Sequence, residues 1–224
     1  MTFSIVARCE RTGMFGVAVT SSSPAVAARC AYARARVGAV ASQNVTDPTL
    51  GIRGLDLLDN GASAEQAVTI LRETGSHIEY RQILAVDKMG GSAVYSGSNV
   101  LGLHAHATDK NVASGGNLLA SERIPVEIVN AFNGAGGGLG ERILAAMQAG
   151  VQAGGEAGTI HSAGIKLVRD VAWPVADLRV DWTENCPIAE LARLWEIYSP
   201  QLEDYVTRAL DPAAAPSYGV SGDE

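Results

Sequence analysis

The chain has 224 residues, 25 of them glycine and only 5% aromatic, which fits one substantial domain with a tightly spaced core of small aliphatic side chains. A formal net charge of −7, with no block of like charges, argues against nucleic acid or an anionic membrane as the main partner. Cys9, Cys30 and Cys186 are far apart and in no CxxC pattern, so the expectation is reduced thiols in a cytoplasmic protein and no zinc site. The apolar start is broken by Arg8 and Glu10, so no signal peptide is expected, and no segment approaches the length of a membrane span.

In chain order, residues 3–9 and 14–20 read as β-rich apolar runs joined by the turn-like Glu10-Arg11-Thr12-Gly13. Residues 37–43 read as a buried strand, and 54–60 and 63–74 as helices. Ser63 and Gln66 supply a capping box for the second helix, with Leu58, Ala62, Val68 and Leu71 turned to a sheet. Residues 82–87 and 91–95 form a predicted hairpin, and 112–119 read as loop around their glycines. Helices follow at 124–132 and 139–149, the second with Leu139, Ile143, Ala146 and Met147 at helical spacing. Strands at 164–169 and 175–180 precede an amphipathic helix bearing Ile188, Leu191, Leu194, Trp195 and Tyr198, which stops before Pro200. A further turn is expected at 202–210. Residues 1–210 make the expected domain, with 211–224 as a mobile tail. Strands at both ends with helices between argue for an α+β layered protein.

The second residue carries the sharpest chemical signal. If Met1 is trimmed, Thr2 presents a hydroxyl and a free α-amine on one residue, so the amine can serve as base for its own nucleophile. Such a nucleophile needs donors for an oxyanion, a group that poises the amine and contacts for the acyl part of a substrate.

Candidates for these supports occur along the chain. Thr20-Ser21-Ser22-Ser23 leaves the second strand beside Thr2 if the two strands pair, which nominates Ser22 and Ser23 as contacts for the amine or the attacking oxygen. In Ser114-Gly115-Gly116-Asn117, the N–H groups at Gly115 and Gly116 and the Asn117 amide are the oxyanion candidates. Glu156 sits among three glycines just ahead of His161-Ser162, placed to meet the free amine or a polar substrate group. Arg81 offers a bidentate clamp for a substrate carboxylate, and Gln43 and Asn44 are uncharged donors where a sheet opens. His104-Ala105-His106 with Asp109 is the one metal-like cluster, but no spacing supplies a third ligand, so no metal is expected. Asp177-Leu178-Arg179-Val180-Asp181-Trp182 reads as an ion-pair row on one strand face, with Leu178, Val180 and Trp182 on the other.

Eight stretches, in order over about residues 2–195, resemble the DUF1028 family, grouped by resemblance with the N-terminal nucleophile hydrolases. They are Thr2-Phe3-Ser4-Ile5-Val6-Ala7-Arg8, Gly16-Val17-Ala18-Val19, Val37-Gly38-Ala39-Val40-Ala41-Ser42-Gln43 and Gly54-Leu55-Asp56-Leu57-Leu58. They continue with Arg81-Gln82, Gly116-Asn117-Leu118-Leu119-Ala120, Ala153-Gly154-Gly155-Glu156 and Asp177-Leu178-Arg179-Val180-Asp181. The chain departs from the family pattern at Cys9, where an acid is usual, at Glu156, where Asp is usual, and at Gly115, where a glutamine-type residue is usual. The resemblance implies a four-layer αββα sandwich of two stacked antiparallel sheets between helical layers.

Together these observations predict an amidohydrolase acting on a small polar amide, with Thr2 as nucleophile, Asn117 and Glu156 in the catalytic set and no cofactor. Ser22, Ser23, Gln43, Arg81, Gly115, Gly116 and Ser162 are the expected substrate contacts, and a homo-oligomer is expected. The alternative is a non-catalytic binding or assembly module on the same fold. A serine or cysteine hydrolase using Ser22 or Cys30 is a weaker third option, because neither residue sits in a recognisable elbow.

Overall fold

The computed structural model describes residues 2–222. Thr2–Arg8 (β1) and Phe15–Ser21 (β2) pair antiparallel, as the two apolar runs and their short turn require. The free edge of β1 takes Val112–Asn117 (β8), so the first strand of the chain lies in the interior of a sheet. Ala105–Asp109 (β7) extends that sheet on one side, and Ser162–Val168 (β9) with Ala176–Val180 (β10) on the other, in the order β10-β9-β2-β1-β8-β7. A second sheet runs Ala31–Arg34 (β3), Gly38–Asn44 (β4), Arg81–Asp87 (β5) and Ser92–Ser96 (β6). Every pairing within both sheets is antiparallel.

Strand alternation gives each sheet two apolar faces, and three buried clusters fill the three gaps between four layers. From β1, Phe3, Ile5 and Ala7 turn to a helical layer built from Ile124–Gly134 (α4), Leu139–Gln152 (α5), Pro187–Tyr198 (α6) and Leu202–Leu210 (α7). Val6 turns the other way and meets Val17, Val19, Ala39, Ala41, Leu84 and Val86 between the sheets. Val40, Ile83 and Ala85 on the far face of the smaller sheet pack against Pro48–Asp59 (α2) and Ala64–Thr74 (α3). The protein is therefore the four-layer αββα sandwich that the resemblance implied. Among the described residues no helix is long and apolar enough to cross a membrane.

Some expectations hold in detail. The Ser63–Gln66 capping box closes reciprocally, with Gln66 N donating to Ser63 Oγ at 3.2 Å and Ser63 N to Gln66 Oε1 at 2.9 Å. Leu139, Ile143, Ala146 and Met147 are all buried. Other elements differ. Residues 112–117, expected as loop, form an interior strand in which Gly116 answers to space: a Cβ there would collide with Phe3 and Leu119. The helix expected from residue 54 starts at Pro48, with Asp47 as its cap accepting from Thr49 N at 2.9 Å. Trp182, expected on the strand face with Leu178 and Val180, lies past the end of β10 and is 51% exposed, its ring stacked on His161. Of the expected ion-pair row, Arg179 bonds Asp181, while Asp177 pairs with Lys166 across the strand.

Residues 97–104 cross one end of the sandwich and tie the sheets together. Leu101 N donates to Asn44 Oδ1 at 3.2 Å, while Leu118 N and Leu119 N donate to the carbonyls of Leu101 and Leu103. The helices of the large sheet make a comparably close contact, where Gly140 of α5 lies against the indole of Trp195 in α6. A methyl group there would collide with a ring held by its bond from Nε1 to Glu141 at 2.9 Å. Gly140→Ala is therefore expected to lower stability by about 1–3 kcal/mol in urea denaturation with secondary structure unchanged. An unchanged midpoint would mean that α6 slides away freely.

Candidate functional site

Register across four strands places Ser162, Ser21, Thr2 and Asn117 side by side: Ser21 pairs with Ser162 and with Thr2, and Thr2 pairs with Asn117. Neighbours in such a row stand about 4.5–5.5 Å apart. All four turn to the gap between the sheets, and all are buried, Thr2 at 5% exposure. One step inward on β1, Ser4 shares that face. The smaller sheet answers with a second row, Gln43, Gln82 and Ser96, on adjacent strands in register. The middle of the gap is apolar, and at this end it becomes a layer of hydroxyls and amides.

The two rows are hydrogen-bonded to each other. Ser4 Oγ donates to Gln43 Oε1 at 2.6 Å, and Gln43 Nε2 donates to Gln82 Oε1 at 2.7 Å and to the Gly115 carbonyl at 3.1 Å. Gln82 Nε2 donates to Ser96 Oγ at 3.0 Å and to the Gly116 carbonyl at 3.2 Å. Asn117 Nδ2 reaches Gln82 Oε1 at 3.4 Å, a long bond that uses one of its two amide hydrogens. Gln82 is thus the hub of the layer.

A chain of hydroxyls leaves Thr2 in the other direction. Thr2 Oγ1 lies 3.3 Å from Ser21 Oγ, which lies 2.9 Å from Ser23 Oγ, and Ser23 Oγ accepts from the Arg29 guanidinium at 2.8 Å. An arginine can only donate, so Ser23 Oγ is an acceptor at that end, Thr2 Oγ1 is a donor to Ser21 at the other, and either serine can donate between them. Ser162 Oγ donates to the Ser23 carbonyl at 2.6 Å and holds this segment against β9.

Glu156 follows two glycines with positive φ, Gly154 and Gly155, and forms an isolated bridge with Leu119. The strap from 118 to 120 fixes it on both sides: Ala120 N donates to the Gly155 carbonyl and Ala157 N to the Leu118 carbonyl. The side chain is 6% exposed, and among the described residues neither carboxylate oxygen has a hydrogen-bond partner. Burial pushes this carboxyl up to about 8, against the pull of the positive N-terminal charge and, after it, of the nearby Ser22 N–H. The Gly154–Glu156 stretch also walls a cavity of about 330 Å³ that reaches Glu184 and Cys186.

Of the residues nominated from sequence, Thr2, Asn117, Gln43 and Ser162 come together in these rows. Ser23 stands behind them in the hydroxyl chain, and Glu156 lies beside Ser22 at the edge. The resemblance aside, four participants were missed. Ser21 turns its hydroxyl to Thr2, where Ser22 was nominated, and Gln82 takes the place expected for Arg81. Both follow from the two-residue period only once the strand pairing, Thr2 with Ser21 and Gln43 with Gln82, is known. Ser4 follows from Thr2 by a step of two along β1, whereas Arg29 carries no sequence signal.

Two nominations need correction. Gly115 and Gly116 lie inside β8 between β1 and β7, so their N–H groups belong to the sheet ladder, and their carbonyls accept from the glutamines. They do not turn N–H groups toward a substrate oxygen. Arg81 alternates with Gln82 and faces away from the gap; its Nη1 donates to the Val45 carbonyl, which secures the end of β4. The expectation about Met1 falls outside the described residues. His104 lies half-buried just ahead of the edge strand β7 and His106 lies exposed on it, and among the described residues no three His, Cys, Asp or Glu side chains gather to hold a metal ion.

Two stacked antiparallel sheets between helical layers, with a threonine at the head of an interior strand, define a four-layer αββα protein. The model described as "Family of unknown function (DUF1028)" matches residues 2–191, and the chain belongs to that family. A crystal structure of a DUF1028 protein from Silicibacter pomeroyi is similar at a TM-score of 0.82 and 28% identity, over 88% of this chain and 89% of that one. Eukaryotic HslV from Trypanosoma brucei aligns at a TM-score of 0.43 and 9% identity over 74% of this chain and 98% of that one. Anbu from Yersinia bercovieri aligns at 0.40 and 11% over 91% and 97%. No curated protein matches the sequence.

The geometry yields two measurements. Gln82→Leu keeps the volume but strips partners from Gln43, Asn117 and the Gly116 carbonyl, so stability should fall by about 1–3 kcal/mol in denaturant titration. A neutral result would show that the layer re-pairs without its hub. For Glu156 the folded value lies above the ordinary 4.5, so the folded chain keeps a proton that the unfolded chain releases. Its contribution is fully present below the unfolded value and is lost as pH rises through about 8, at about 1.4 kcal/mol per unit of separation. Glu156→Gln should therefore gain on the wild type as pH rises from about 5 to about 9. Parallel stability curves would show that the carboxylate is not strained.

Proposed function

We propose that the protein is an amide hydrolase of the N-terminal nucleophile type, with Thr2 as the attacking residue once Met1 has been removed. The observation that carries this reading is the position of Thr2 at the head of interior strand β1, its hydroxyl in a buried polar row between Ser21 and Asn117. Thr2 Oγ1 attacks the carbonyl carbon of a small polar amide, and its proton passes to the α-amine of the same residue. The chain through Ser21 and Ser23 to Arg29 orients that hydroxyl.

Asn117 is the donor for the developing oxyanion, since one amide hydrogen is held only by the long bond to Gln82 and the other remains to serve. The C–N bond then breaks, the leaving amine takes up the proton, and an ester remains on Thr2. Water attacks that ester and releases the acid. Glu156 is placed to meet either the liberated α-amine or a polar group of the substrate. The reaction as written calls for no cofactor.

A second reading, a binding or assembly module without turnover, has one observation in its favour: Thr2 is 5% exposed, so a substrate must find a way in.

Intact mass and peptide mapping after treatment with a β-lactone electrophile separate the two. The hydrolase reading expects loss of Met1, label on Thr2, and turnover of small amides reduced at least about 1,000-fold in Thr2→Ala with the fold intact. Turnover that survives in a well-folded Thr2→Ala chain would end the mechanism, and retained Met1 without label would favour the binding module.

A further inference from the structure

The cavity of about 330 Å³ beside the polar rows lies within the size range of small-molecule sites. Val151 and Ile160 supply apolar wall, Thr159 and Asn185 supply neutral polar groups, and the charged residues lining it are Glu156 and Glu184. Among the described residues no lysine or arginine takes part in the lining. A substrate carboxylate, the class that Arg81 had suggested, would find no lysine or arginine here, only the Glu184 carboxylate at the rim and a buried Glu156 that gains nothing from an anion.

The two carboxylates are held differently. Glu184 stands at the rim, fixed by Trp182 Nε1 donating to its Oε1 at 2.9 Å. His161 Nδ1 bonds the Thr183 carbonyl at 2.8 Å and stands 3.8 Å from Glu184 Oε2, so its closer partner is the carbonyl. Glu156 is more than nine-tenths buried, and neither of its oxygens has a partner among the described residues. A buried carboxylate without a partner is costly, and a ligand that brings a positive N–H donor removes that cost directly. The chain's net charge of −7 adds a long-range field of the same preference.

We propose that this cavity is a subsite for an organic cation, a primary ammonium or guanidinium, with Glu156 as its buried partner and Glu184 at its entrance. In the hydrolase reading the occupant is the basic end of the amide substrate, and only that assignment rests on Thr2 being the nucleophile. A bare divalent metal ion is the lesser fit, because two carboxylates do not complete a coordination shell and the volume exceeds what an ion fills.

The test uses the full chain carrying Thr2→Ala, so that binding is read without catalysis. Butylamine, butylguanidine, butanol and butyrate are titrated by isothermal calorimetry and by NMR, with magnesium and calcium as further arms. The two bases should bind saturably, butyrate should not bind, and Glu156→Gln should weaken the bases at least ten-fold. Glu184→Gln should weaken them several-fold, and Glu156→Asp, which keeps the charge, should retain part of the affinity. A thermal melt on each variant confirms that it is folded. Equal binding of butanol and butylamine, preference for butyrate, indifference to Glu156→Gln, or displacement of the bases by a stoichiometric metal ion would each overturn the proposal. Labelling of Thr2 by the β-lactone is a separate readout, so loss of the cation subsite and loss of the nucleophile are told apart.

Discussion

Two glutamine side chains, Gln43 and Gln82, join the sheets at one end, and the arrangement of that end follows from satisfying them. Each is fully buried, so its amide hydrogens and carbonyl need partners within the interior. They find one another, Ser4, Ser96, Asn117 and two backbone carbonyls of β8. That set exists in only one register of each sheet. A slip by one residue would send the polar positions to the helical layers and bring Ile83 or Val40 into the gap. The network therefore specifies the pairing that sets Thr2 beside Asn117, whatever its net worth in stability.

Much of the scaffold was legible because its signals are local. The Ser63 cap, the helical spacing of Leu139 to Met147 and the opening hairpin each depend on residues a few positions apart. The four-layer arrangement itself came through the family resemblance; the residues alone reached only a layered α+β protein. The error at 112–117 has a clear cause. Glycine was read as a turn former, but here it marks an interior strand where neighbouring backbones and side chains leave no room for a Cβ.

The site divides along the same line. Thr2 and Asn117 were legible from their chemistry, and Ser162 and Gln43 from their place at strand ends. The choice between Ser21 and Ser22, or between Gln82 and Arg81, turns on the face each residue occupies, which the two-residue period decides only once the pairing is known. Arg29 sits on a short helical turn, Ala27–Cys30, with no sequence link to Thr2, and only the folded chain sets it behind Ser23. The buried, unpartnered state of Glu156 was equally out of reach, since a glycine-flanked acid reads the same whether it is solvated or enclosed.

The narrow gap between the sheets also bears on how such a protein can change over generations. Ala39, Ala41, Ala113 and Gly115 leave little space for larger side chains, so drift at those positions is confined to a few small residues. Residues 154–160 and 184–186 sit outside the sheets, and replacements there reshape the cavity without disturbing either polar row. A lineage on this scaffold can thus trade one ligand for another through two loops while its hydroxyl row stays as it is.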